Sequence, residues 1–396
     1  MKSNYLTSLS KVALFCVVLV SSTFAQVAKM PPQFKTVYAF DSTYGAAPTG
    51  KLLVKDANVI GTTHDGGDQN MGVVFRYSVK KQDLKILHQF HQDGVDGFWS
   101  DGGIASTVDH RIVGVTPYGG SYYSGVAYGF DSETGVYKIL HSFTGGPTDG
   151  AQPAAPVVPE TATTVLGTTS WGGSSGNGTV FRMNEKGDIT VLHTFSGVDG
   201  RIPQYGLTKG PDGAFYGVTN FGGDFDAGTV YRIDARGTFR TITSFQSATT
   251  GTYPSGLTLG KDGVFYGANS TGGPTNGGTA FSVTINGVVT ILHSFSPNSA
   301  EGDWPNGWTL GSDGLLYGTT ANWGSDQLGS VFQMTTSGVL TVLHKFNPWT
   351  QNNAIFDGSQ PYSPPVEVSP GVFIGTTSKG GAGNGTGYGT LYRITK

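Results

Sequence analysis

Two short segments concentrate the side chains best suited to chemistry. One, Thr63 to Asn70, reads THDGGDQN and holds His64, Asp65 and Asp68. The other, His91 to Gly97, reads HQDGVDG and holds His91, Asp93 and Asp96. An imidazole among carboxylates suits acid–base work, or a divalent ion if the groups converge to about 2.0–2.6 Å from one point. Tyr118, Tyr122 and Tyr123 add phenols that can take a proton, with Arg201 or Lys379 as the cation beside a substrate carboxylate. A second set is aromatic. Tyr118, Trp171, Phe221 and Trp323 each precede a glycine, and Trp99 and Trp304 fall in neighbouring connections. Flat apolar rings with polar edges suit the CH faces of sugars, and nearby carboxylates accept hydroxyl hydrogen bonds. The same rings can equally pack over their own glycine-rich loops. Gly172-Gly173-Ser174-Ser175-Gly176 matches G-x-S-x-G, but that motif needs a strand-to-helix turn, and no helix pattern follows.

These residues recur with a period. A phrase close to TVLHSF ends at Phe40, Phe90, Phe143, Phe195, Phe245, Phe295 and Phe346. A GTT-like phrase starts at Gly61, Gly114, Gly167, Gly217, Gly267, Gly318 and Gly375, and a GTVF-like phrase follows each. Seven units of about fifty residues, each reading as four short strands joined by Asp-Gly-type turns, predict blades of a β-propeller. His88, His141, His193, His293 and His344 share one slot two residues before the repeat phenylalanine. Tyr38 and Thr243 fill it elsewhere, so a packing or hydrogen-bonding role between blades is expected rather than catalysis.

Composition agrees. Of 396 residues 62 are glycine, more than twice the usual share, and only 13% are charged, which excludes a disordered chain. The net charge of −3 provides no basic field for nucleic acid. Lys2 and Lys11, the apolar run 12–20 and Ala25 together read as a secretory signal, residues 1–25, cleaved near Ala25. The run is too short to span a bilayer comfortably, and no second one follows. Cleavage also removes Cys16, the only cysteine, and leaves a net charge of −5. Residues 26–33 read as a short linker and 34–396 as a single seven-bladed domain.

The last unit stops after its third strand, 389–394, and the missing fourth stands at the start, 34–40. The N-terminal strand is therefore expected to complete the C-terminal blade and close the ring, which removes two open sheet edges. Strand order then places the long connections on one face, called upper here. That face gathers the rings and most of the acids named above.

The phrases GTVFRMNEKGDITVLHTF (178–195) and GTVYRIDARGTFRTITSF (228–245) resemble the GloVer tandem repeat, found in secreted proteins described as choice-of-anchor. The resemblance covers essentially the whole chain after the signal and implies a secreted, repeat-built propeller. It implies no particular activity. The name suggests a C-terminal sorting anchor, from which the sequence departs, since Lys396 follows directly on the last strand. Three functions stay open. One is a secreted or cell-envelope, non-catalytic, monomeric propeller binding a polysaccharide, a cell-surface glycan or another surface partner on the upper face, with no cofactor. Another is a secreted carbohydrate-active enzyme of the polysaccharide-lyase kind, using His or Tyr on that face. The third is a purely structural envelope protein.

Overall fold

A computed structural model describes residues 31–107, 111–131, 135–297, 299–322, 328–346, 356–381 and 387–396; the signal, His110, Trp323 and Trp349 lie outside them. Each repeat folds into a four-stranded antiparallel sheet, and there are seven. Blade 1 consists of Leu53–Lys55, Asn58–Thr62, Val73–Ser78 and Asp83–Gln89. Blades 2 to 6 span 104–142, 158–194, 208–244, 252–294 and 309–345. Blade 7 takes its inner three strands from Val366–Ser369, Val372–Thr377 and Thr390–Thr395. Its outer strand is Gln33–Ala39, paired antiparallel with the last strand from Gln33 opposite Thr395 to Ala39 opposite Thr390. The expected closure is present.

The middle strands of each blade are apolar on both faces because each sheet lies between two others. Val73, Val74, Phe75 and Tyr77 are all at most 1% exposed, and the repeat phenylalanines at most 2%. The glycine of each GTT phrase makes room for the ring of the GTVF phrase. A Cβ on Gly114 would lie 2.3 Å from the Tyr128 hydroxyl, and one on Gly167 2.4 Å from the tip of Phe181. That is why the two phrases recur together: one supplies the slot and the other the ring.

Every outer strand carries a register shift at the same place, just before the histidine slot. A bulge re-aims the next side chain. Here it sends five histidines to acids in the following connection. Nε2 of His88, His141, His193, His293 and His344 lies 2.8, 3.1, 2.9, 2.9 and 2.7 Å from Asp96, Asp149, Asp199, Glu301 and Asp357. Three of the rings also stack on the outer strand of the next blade: His88 on Tyr137, His193 on Phe239 and His344 on Phe34, each at 3.5 Å. These histidines are inter-blade clamps, as their repetition implied. Where the histidine is replaced, so is the acid: Thr243 aligns with Thr250, and Tyr38 with Tyr44.

The clamps and similar pairs predict acid lability. Burial opposes ionisation of Asp149, but hydrogen bonds from His141, Thr144 and Gly150 outweigh it and hold the carboxyl below the usual range. Glu160 with Arg182, and Asp212 with Arg232, are held low in the same balance. A carboxyl depressed in the folded state stabilises it above the unfolded value, near 4, and that gain is lost as pH falls through the folded value. The thermal midpoint should therefore drop by about 10 °C or more between pH 4.5 and 2.5. A flat calorimetric profile over that window would contradict this assignment.

Candidate functional site

The connection entering each blade begins with a residue in the left-handed region. The seven are Ala47, Trp99, Gln152, Ile202, Tyr253, Trp304 and Gln360, with φ between 50° and 59°. None is glycine, and Ile202 is β-branched, so each conformation is strained by about 1 kcal/mol or more. Tertiary hydrogen bonds hold them. The amides of Ala47, Trp99, Gln152, Ile202, Trp304 and Gln360 donate to carbonyls in the loop of the preceding blade, at Tyr388, Met71, Ser124, Asn177, Gly277 and Leu328. The carbonyls of Ala47, Gln152, Ile202 and Gln360 accept from His64, Ser170, Asn220 and Ser378 of the blade they enter. The result is a stitched ring around the upper mouth.

Below the ring lies a cavity of about 1140 Å³ on the propeller axis, lined by the innermost segments of all seven blades. Among its lining residues are the rings Tyr118, Trp171, Phe221 and Tyr253, the polar side chains Gln152, Gln204 and Asn220, and the ionisable groups Lys51, His64 and Asp101. The size suits a few sugar rings or a drug-sized molecule.

The rings differ in availability. Trp171 is 44% exposed, and no ring contact to it occurs among the described residues. Tyr118 is partly exposed and meets Trp99 edge-on at 5.5 Å. Phe221 is covered: the Arg201 guanidinium lies 4.6 Å over its face, and Tyr253 meets it edge-on at 4.8 Å. Trp99 stacks on His64 at 5.3 Å behind the rim, and Trp304 is exposed outside the cavity lining. Trp323 cannot be placed, being outside the described residues.

The acidic and basic candidates divide among separate tasks. His64 Nδ1 bonds Asp65 at 2.9 Å, and its Nε2 lies 3.7 Å from Asp101, whose other oxygen accepts from Thr49 at 2.5 Å. Burial raises the Asp101 carboxyl, against the pull of His64 and Thr49. His91 approaches Asp68 at 3.8 Å, away from the cavity. Asp93 caps the amides of Val95 and Asp96, and Asp96 clamps His88. The cluster expected from His64, Asp65, Asp68, His91, Asp93 and Asp96 is thus not assembled, and no group of three metal-ligating side chains occurs among the described residues. Asp65, Asp93 and Asp96 are instead engaged by separate imidazoles, amides and a phenol. Tyr122 and Tyr123, 61% and 60% exposed, sit on a loop outside the cavity. Arg201 is engaged by Asp226 at 2.9 Å, and Lys379, on a short ribbon opposite Ser359, is not among the cavity-lining residues.

Sequence reading missed Lys51, Gln152, Gln204 and Tyr362 in the lining. A usable signal existed. Ala47, Gln152, Ile202, Tyr253, Trp304 and Gln360 are each followed by proline, and the residues after those prolines enter the channel.

Fold and mouth together define a seven-bladed propeller with a ligand-sized cavity on its axis. The Gloeobacter/Verrucomicrobia repeat matches residues 22–168 and 157–392, and the chain belongs to that repeat family. No curated protein sequence matches it. Among solved structures, the oligogalacturonate lyase of Vibrio parahaemolyticus is similar, with a TM-score of 0.54 at 11% identity over 92% of this chain and 97% of that one. A proposed 6-phosphogluconolactonase of Bacteroides fragilis gives 0.52 at 16% identity, over 86% and 98%. The extracellular domain of a proposed hybrid two-component system from B. thetaiotaomicron gives 0.57 at 11%, over 91% of this chain but only 39% of that one. At these identities the likeness is one of fold alone. No helix among the described residues is long and apolar enough to cross a membrane.

Proposed function

We propose that the protein is a secreted, monomeric propeller that binds a saccharide at the upper mouth of its channel without transforming it. The observation that carries this reading is the arc of rings, Tyr118, Trp171 and Tyr253, on one side of a 1140 Å³ cavity with Gln152, Gln204 and Asn220 between them. Stacking platforms alternating with amide donors and acceptors match a sugar's apolar faces and hydroxyls. The strained, stitched ring supports it too, because it holds these side chains in place before a ligand arrives. Secretion rests on the basic, apolar and small-residue start of the chain.

A glycan array should yield binders whose affinity falls about 10-fold in Trp171→Ala. Tyr122→Ala, on a loop outside the cavity, should leave it unchanged. An array without a hit, or equal losses in both variants, would reject the reading.

One observation favours catalysis as a second reading. His64 and Asp101 sit together in the cavity at 3.7 Å, an imidazole beside a carboxyl raised by burial. That pairing suits proton abstraction from a bound sugar. The similar Vibrio structure named as a lyase supports it by analogy of fold only. New ultraviolet absorbance on incubation with uronate polymers, absent in His64→Ala, would favour it over binding alone.

A further inference from the structure

The channel holds one side chain that its repeat position does not explain. Antiparallel register places Leu52, Ile104, Val157, Leu207, Leu257 and Trp308 opposite the glycine of each GTT phrase, with Pro365 in blade 7. The residue just before is Gly103, Pro156, Gly206, Gly256, Gly307 and Pro364 in blades 2 to 7. Six blades thus present glycine or proline to the axis, and blade 1 alone presents a long charged side chain, Lys51. The backbone around it is closely packed: a Cβ on Gly103 would lie 2.8 Å from the Lys51 carbonyl oxygen. The side chain is left with the cavity as its space.

Lys51 is surrounded by protein yet open to the water of the channel. No carboxylate or hydrogen-bond acceptor among the described residues pairs with its ammonium. Burial alone pushes it below the usual lysine range. Its ammonium meets the channel water without a protein partner among the described residues and is open to an anion from solution. The neighbouring carboxylate, Asp101, is turned to Thr49 and His64. Lys51 therefore lacks an internal counter-ion in a cavity of ligand size.

We propose that Lys51 is an anion subsite within the channel, and that the saccharide taken there carries a carboxylate on the sugar that enters first. The claim rests on the saccharide reading above and refines it. Trp171 and Tyr118 would hold the neutral part at the mouth, while Lys51 binds the acid inside. A charge-assisted contact of this kind discriminates between a carboxylate and an alcohol about 10-fold or more.

The experiment uses a panel of uronic-acid-terminated oligosaccharides and their carboxyl-reduced counterparts. Each is titrated calorimetrically into the wild type, Lys51→Met and Trp171→Ala. In the wild type the acidic member of at least one pair should bind about 10-fold tighter than its reduced form. Lys51→Met should abolish that preference and leave the reduced sugar's affinity intact. Trp171→Ala should weaken both members alike. Methionine keeps the length of the side chain and removes an unpaired charge, so its thermal midpoint should equal or exceed that of the wild type, a check independent of any ligand. Equal binding of both members to the wild type, or an acidic preference that survives Lys51→Met, overturns the anion subsite while leaving saccharide binding standing. Failure of every sugar, acidic and reduced, to bind the wild type overturns both.

Discussion

A chain lacking only residues 33–40 should lose its cooperative melting transition and associate in solution. Those residues supply the whole outer strand of blade 7. They also supply two aromatic anchors. Phe34 stacks on His344 at 3.5 Å and meets Phe346 edge-on at 5.8 Å. Phe40 is fully buried and lies 5.3 Å from Phe75 in blade 1. Losing one buried phenylalanine costs about 3–5 kcal/mol. Losing Phe40 together with the half-buried Phe34 consumes a large share of the 5–15 kcal/mol that holds a typical domain together. The strand Thr390–Thr395 would then present an open edge, a template for pairing with another chain. Calorimetry with light scattering decides the matter. A truncated chain that stays monomeric and melts within about 2 °C of the full chain would show that the ring does not depend on this strand. The single change Phe40→Ala is the milder version and should lower the midpoint by about 10 °C.

Asp96→Ala should be the most damaging single polar change. One carboxylate oxygen is hydrogen-bonded to His88 Nε2 at 2.8 Å and accepts from the His91 amide at 3.2 Å. The other accepts from the Tyr137 hydroxyl at 2.6 Å and the Gly97 amide at 2.8 Å. Asp96 therefore ties the outer strand of blade 1, the following connection and the outer strand of blade 2. Burial first, then the charge of Asp96, holds the Tyr137 phenol firmly protonated as a donor. With alanine, a phenol, an imidazole and two amides lose their acceptor. Each buried loss costs about 1–3 kcal/mol and the group is not additive, so about 3–5 kcal/mol is expected. Asp68→Ala is the matched control. That carboxylate is 57% exposed and only 3.8 Å from His91, so its loss should cost less than about 0.5 kcal/mol. Denaturant melts of the two variants test the contrast, and equal midpoints would remove the clamp from the list of stabilising contacts.

The candidate site was legible only in part. The rings at Tyr118, Trp171 and Phe221 stand at one repeat position, and periodicity alone sends them to one rim. Which of them is free was not legible. Arg201 covers Phe221, and among the described residues no ring covers Trp171, a difference made by side chains far apart in the repeat. The grouping of His64 with His91 failed because adjacency along the chain placed both on the upper face without saying at what radius. His64 stands at the rim of the cavity, and His91 lies away from it beside Asp68.

Read by itself, the sequence determined the number of blades, the closure and the face that gathers the long connections. All three follow from a period of about fifty residues and from strand alternation, which are local along the chain. Only the tertiary structure decided that Lys51 faces an axis where six other blades place glycine or proline, that seven non-glycine residues are held left-handed around the mouth, and that five histidines clamp neighbouring acids. These depend on bulges and on hydrogen bonds between blades. Contacts of that kind arise only once the ring has brought distant segments together; the repeat marks which positions recur, and the fold decides what each one meets.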